Sequence, residues 1–245
     1  MSDALKTNAL KEYFSESDTF NAHDLAEFYK QYDGNLNNNT LLSRIYNLKQ
    51  KGIIASKERG AFTLGNRSLS AFIEHGLASD LSEQLQTQFP HIKHCVWSTS
   101  LLDKLSDYIA PIEFILIETD KQATESVFDE LKVNGPGIFL EPDQVLLERY
   151  IPMFDKPVII HPLISEAPLE SKKGHLIPTP EKIIVDLICE PALFSAWQGT
   201  VLRDIVSTIY SKLIVNKSAL FRYARRRNRE EELKKLLRST NYHQL

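Results

Sequence analysis

A helical stretch that ends on glycine and runs straight into a β-hairpin narrows the folds open to this chain more than any of its totals. Residues 37–52 read NNNTLLSRIYNLKQKG, with Leu41, Ile45 and Leu48 on one face at helical spacing and Gly52 as the terminator. IIASKERGAFTLG follows, two short apolar strands around a charged Lys57-Glu58-Arg59-Gly60 tip. Upstream, Leu5, Ala9, Leu10, Tyr13 and Phe14 recur at helical spacing. In TFNAHDLAEFYKQYDG, Asn21 caps a second helix whose apolar face is Ala22, Leu25, Ala26, Phe28 and Tyr29, and Gly34 closes it. Three helices and a hairpin in so short a segment predict a winged helix-turn-helix over residues 1–67. Its third helix is expected in the major groove and its hairpin on the flanking backbone.

Charge sharpens that expectation. Residues 1–36 carry a net −4, 37–67 a net +5, 68–220 a net −9 and 221–245 a net +5, for −3 in all. Two short basic segments on an acidic body imply a localised polyanion contact. On the third helix, Asn39, Ser43, Tyr46, Asn47 and Gln50 fall opposite the inward leucines, with Thr40, Arg44 and Lys51 at one flank. Asparagine and glutamine can bond an adenine edge bidentately, and arginine a guanine edge. Lys51, Lys57 and Arg59 are placed to neutralise phosphates, which sets register and affinity but not sequence. Double-stranded DNA is the expected partner, although small domains of this plan also serve protein contacts.

Residues 68–90 read as a connecting helix ending at Pro90, and 91–245 as an α/β layer followed by helices. IKHCVW, EFILIE, GIFLE and PVIIH are expected strands; STSLLDKLSDYI and DKQATESVFDELK are expected helices, Asp120 capping the latter. SEAPLESKKGHLIPTP is punctuated by prolines and is expected as an exposed loop. From Thr179 everything reads helical. Thr179 is the cap, Pro180 the first helical residue, and Glu181 lies near the positive end of the dipole. ALFSAWQGTVLRDIVSTIYSKLI is expected as one core helix before a basic terminal helix. The fold class is therefore α+β, a winged helix-turn-helix followed by an α/β layer and a helical C-terminal region.

Chemistry is harder to find. There is no G-x-S-x-G, H-E-x-x-H, P-loop or G-x-G-x-x-G. His94, Cys95, Ser98 and Asp103 lie close in sequence, but strand and cap roles account for them. A metal-dependent nuclease would need acids and a lysine converging at a strand. Asp107, Glu113, Glu118, Asp120 and Lys121 surround EFILIETDK, yet the lysine position two places after Glu118 holds Asp120. No catalytic residue, metal ligand or cofactor site is expected, and the nuclease is kept as the alternative. No apolar run reaches the roughly 20 residues that span a bilayer. With a polar start and only Cys95 and Cys189, a reduced, cytoplasmic protein without a membrane contact is expected.

LIPTPEKIIVDLICEPALF (176–194) and LFRYARRRNREEELKKLL (220–237), with the RGAF of the hairpin, resemble the AbiEi family of abortive-infection antitoxins. That resemblance implies a type IV toxin–antitoxin pair in which an N-terminal winged helix represses the operon. The rest of the chain would counteract a nucleotidyltransferase toxin of the AbiEii type, directly or functionally, and paired proteins would occupy inverted repeats. It implies no catalytic residue. In the terminal helix, Glu230–Lys234, Glu231–Lys235, Arg226–Glu230 and Arg227–Glu231 are spaced to pair, with Leu233, Leu236 and Leu237 on one side. Arg222, Arg225 and Arg229 are left over. Operator DNA, an acidic partner surface or the protein's own acidic body are the three candidates for them.

Overall fold

The first 68 residues are built around aromatic side chains. In the computed structural model, which describes residues 5–15, 17, 19–50, 53–58, 60–64, 69, 76–133, 135, 137–172, 174–213 and 215–240, the chain is mixed α+β and divides into two compact units. One unit comprises residues 1–68 with 214–218, and the other 69–213 with 219–245.

In the first unit, helix α1 (Thr7–Tyr13), strand β1 (Phe20–Asn21), α2 (Ala22–Lys30), α3 (Asn38–Gln50), β2 (Ile54–Glu58) and β3 (Ala61–Leu64) follow in order. The strands form an antiparallel sheet, β1-β3-β2, with a register shift between Ser56 and Glu58. Phe14 stacks on Phe20 at 4.0 Å between ring centroids, and Phe28 meets both Phe14 and Tyr29. Leu25, Phe28, Leu41, Ile45, Leu48 and Phe62 close this core, so the apolar spacing read from α2 and α3 is the buried face. Asn21 caps α2 through a capping box: its Oδ1 accepts from the His23 and Asp24 amides, and Asp24 accepts from the Asn21 amide. Asn21→Ala is expected to lower the stability of this unit by about 1 kcal/mol, measurable as a shift in its thermal unfolding.

The second unit carries a six-stranded mixed sheet in the order β6-β7-β5-β4-β9-β8. Its strands are β4 (His94–Ser98), β5 (Ile115–Thr119), β6 (Ile138–Leu140), β7 (Val158–Pro162), β8 (Leu169–Lys172) and β9 (His175–Pro178). Alternation along the strands sorts the side chains. Val96, Ile115, Ile117, Val158 and Ile160 face one way and bury against Leu81 and Leu85 of α4 (Leu77–Gln88) and Val127 and Leu131 of α6 (Thr124–Lys132). The helix expected as a connector thus contributes its apolar face to this core. Helix α5 is short (Ser100–Lys104), and α7 (Pro180–Cys189) is followed by α8 (Thr200–Lys212), α9 (Lys217–Arg226) and α10 (Glu230–Ser239).

Four local expectations are corrected. Residues 165–180 are no open loop: β8 and β9 pair as a hairpin turning at Gly174 (φ +89°), and the prolines sit at its flanks. Pro168 precedes β8 and Pro178 ends β9, positions where a missing N–H is tolerated. The single core helix expected over 192–214 is broken by a 3₁₀ turn (Ser195–Trp197) and by Gly199 at φ +66°, a conformation glycine adopts without strain. The terminal helix is two helices. Asn228, at φ +55°, ends α9 in a Schellman arrangement, the Arg229 amide donating to Ala224 and the Asn228 amide to Arg225. Neither expected side-chain cap forms: the Thr179 hydroxyl donates to the Pro168 carbonyl, and the Asp120 carboxylate accepts from the Lys93 amide. No helix among the described residues is long and apolar enough to cross a membrane.

Candidate nucleic-acid interface and a buried charge network

Helix α3 begins where the Asn37 carboxamide accepts from the Thr40 amide. With Leu41, Ile45 and Leu48 turned into the core, the opposite face stands in solvent. Asn39, Leu42, Ser43, Tyr46 and Asn47 are all exposed, Leu42 by 54% and Tyr46 by 63%. These positions fall at i, i+3, i+4, i+7 and i+8, one continuous stripe of amide, hydroxyl and apolar groups. Leu42 adds an exposed apolar group to this face that is absent from the sequence-based set, although its helical position places it outward.

The helix's only arginine does not join that stripe. Arg44 donates from Nη2 to Asp33 at 3.1 Å, and its guanidinium lies over the Tyr29 ring at 4.6 Å. Its Nη1 is buried without a hydrogen-bond partner. Tyr29 is itself fixed, its hydroxyl donating to the Leu5 carbonyl at 2.8 Å. Lys49 places its ammonium 4.7 Å over the Phe62 ring. Thr40, half-buried, flanks the stripe. Lys51, Arg59 and the side chain of Lys57 lie outside the described residues, as does the side chain of Gln50.

A different polar assembly lies on the far face of the second unit's sheet. Register places Cys95 of β4, Glu118 of β5 and His161 of β7 side by side in a row across the strands. Helix α7 sets Lys182 and Asp186, one turn apart, against that row. The Lys182 ammonium is fully buried, 2.6 Å from both Glu118 oxygens and 2.5 Å from Asp186 Oδ2. Asp186 Oδ1 accepts from the Tyr223 hydroxyl (2.8 Å) and from Arg227 (3.2 Å), which also binds Glu190. Trp97 Nε1 donates to Glu118 at 3.4 Å. Burial works against the Lys182 ammonium, but Asp186 and Glu118 outweigh it and hold its titration well above the usual lysine range. Burial raises the Glu118 carboxyl and the Cys95 thiol, and pushes the Cys189 thiol up to about 11. Burial also lowers the His161 imidazole, whose Nε2 has no hydrogen-bond partner.

The terminal arginines divide between this network and pairs at the surface. Arg222 lies 3.8 Å from Glu166, Arg225 3.4 Å from Glu230 and Arg229 3.2 Å from Glu232, while Arg226 donates to Ser165. Arg227 turns inward to Asp186 and Glu190 rather than along the helix to Glu231. Of the expected intrahelical pairs, Glu230–Lys234 forms at 3.2 Å, and Glu231 takes Lys234 as well. Asp186 of α7 and Glu190 just past its end thus receive Tyr223 of α9 and Arg227 just past that helix, and the outward arginines remain more than half exposed or nearly so.

The acids weighed for a nuclease do not converge. Glu118 is sealed beneath α7, Asp120 is exposed at the end of β5, and Glu113 accepts from Ser98. Asp107 lines a groove of about 230 Å³ with Lys104, Asp204, Ser207 and Lys212. Asp103 is engaged by the Trp197 indole, and its carboxyl is raised by burial. Among the described residues no set of three or more His, Cys, Asp or Glu side chains is arranged to hold a metal ion.

Fold and site together define a mixed α+β protein: an exposed helical stripe on a three-helix, three-stranded unit, and a sheet unit sealed by a buried charge network. Residues 40–243 match DUF6577, a family of unknown function, and the chain belongs to that family. The match begins within the first turn of α3 and runs to the C-terminal helices, so it takes in Leu42, Ser43, Tyr46 and Asn47 of the stripe, the hairpin and the network. No curated protein matches the sequence.

Proposed function

We propose that this protein is a DNA-binding antitoxin that represses its own operon and counteracts a nucleotidyltransferase toxin, without catalysis of its own. The observation that carries the DNA-binding part is the exposed stripe Asn39–Leu42–Ser43–Tyr46–Asn47 on α3. The order α1-β1-α2-α3-β2-β3, with β2 and β3 as an antiparallel hairpin behind α3, supports reading the first unit as a winged helix. The net +5 of residues 37–67 supports a phosphate contact at the same helix and hairpin. The antitoxin part rests on the resemblance of residues 176–194 and 220–237 to the AbiEi family. Arg222, Arg225 and Arg229, exposed on the outer side of α9 and its junction with α10, are the positions offered to DNA or to an acidic partner. Their ion pairs are surface pairs, worth about 0–1 kcal/mol each, and readily exchanged for another anion.

The test is a gel shift on the DNA upstream of the protein's own gene, with unrelated duplex as competitor. Wild type is expected to shift its own upstream DNA preferentially, and Asn39/Ser43/Asn47→Ala to lose that preference while keeping its fold. Failure of the wild type to shift any duplex at low salt would remove the repressor reading.

A further inference from the structure

We infer that α3 selects an A·T-rich half-site through amide and methyl contacts rather than through guanine. The inference rests on the DNA-binding reading and names what that site would recognise. Guanine is most often read by a bidentate arginine or lysine. Helix α3 has one of each, and neither belongs to the stripe: Arg44 is turned inward, and Lys49, although exposed, rests over an aromatic ring. The Arg44 guanidinium is held between Asp33 and the Tyr29 ring, and Lys49 sits over Phe62. Withdrawing Arg44 would strip Asp33 of its ion pair and Tyr29 of its cation, so the residue is a brace of the first unit. What remains toward solvent is Asn39 and Asn47, two turns apart on one face, with Leu42, Ser43 and Tyr46 between them. A carboxamide pairs its donor and acceptor with adenine N6 and N7, an edge that guanine does not present. An exposed leucine has little to gain in water, but the thymine C5-methyl is an apolar partner at the base edge. Amide, leucine, hydroxyl, tyrosine and amide in that order match a run of A·T pairs, and the stripe holds neither arginine nor lysine, the usual readers of guanine.

Selection of bound duplexes from a randomised library by the full-length protein, followed by uracil substitution, tests this. The selected core is expected to be A·T-rich. Replacing its thymines by uracil, which removes only the methyl, is expected to weaken wild type about four-fold per contacted methyl, the worth of one buried methyl group. Leu42→Ala should bind the thymine site more weakly and be indifferent to the uracil exchange. Asn39→Ala and Asn47→Ala should each lose about five-fold or more in adenine preference. All three positions are exposed, so thermal unfolding within about 0.5 kcal/mol of wild type is expected for each. A selected core rich in G·C, or uracil sensitivity that survives Leu42→Ala, would overturn the inference while DNA binding stands. Retention of no duplex at low salt would instead strike down the DNA-binding reading beneath it.

Discussion

Lys182→Met is expected to destabilise the second unit by about 3–5 kcal/mol, because it leaves Glu118 and Asp186 buried with their shared cation gone. The geometry leaves little room for rescue: Lys182 is fully buried, and Glu118 and Asp186 are 5% and 4% exposed. Asp186 retains Tyr223 and Arg227, so Glu118 carries most of the loss, with only the long Trp97 contact remaining. The double variant Lys182→Met/Glu118→Met should therefore recover more than half of the loss, since it removes one charge of each sign. Both tryptophans of the chain, Trp97 and Trp197, lie in this unit, so fluorescence during denaturant unfolding reports on it selectively. Because the folded lysine titrates above its ordinary value, its stabilisation is fully present below about pH 10.4 and is lost only as pH rises through the folded value. A single variant within 1 kcal/mol of wild type at neutral pH would mean that the three charges do not depend on one another.

What was legible in the sequence was local. The Asn21 cap, the inward face of α3, the hairpin around residues 53–65 and the central strands follow from spacing and turn chemistry within a dozen residues. The breaks were also written locally, but weakly. Gly199 and Asn228 interrupt otherwise helical patterns, and either could have been tolerated inside a helix. The β8–β9 hairpin was hidden because prolines that flank an edge strand look like those of a loop. The charge network had no sequence signal beyond Lys182 and Asp186, or Tyr223 and Arg227, at i, i+4. That spacing shows which residues share a helix face, not that the face is buried. Only the sheet register, which brings Glu118 beside Cys95 and His161, decides what α7 meets. The same limit hid the role of Arg44: its helix position marked it as a flank residue, but Asp33 and Tyr29 turn it into a brace.

On the proposed DNA-binding reading, removing the basic charges at the end of α3 and on the hairpin and removing the exposed amides of α3 should produce opposite signatures, and that contrast separates a sequence-reading helix from a merely basic surface. Lys51, Lys57 and Arg59 are expected to act by displacing counterions, so Lys51/Lys57/Arg59→Ala should flatten the slope of log affinity against log salt by about 2.7, or about 0.9 for each contact. Across a four-fold rise in salt, that difference corresponds to about forty-fold in affinity. The variant's preference for its own upstream DNA should survive, because phosphates carry no sequence information. Asn39/Ser43/Asn47→Ala removes no charge, so its salt slope should match wild type while its preference falls. Titrations of the two variants on specific and unrelated duplexes, at several salt concentrations, give both quantities from one data set. If the charge variant lost preference and slope together, the hairpin tip would be reading bases. If the amide variant changed neither, the α3 stripe would not be in the groove. Because the stripe carries no cation of its own, any slope it contributed would have to come from another surface, and the exposed arginines of α9 would be the next to neutralise.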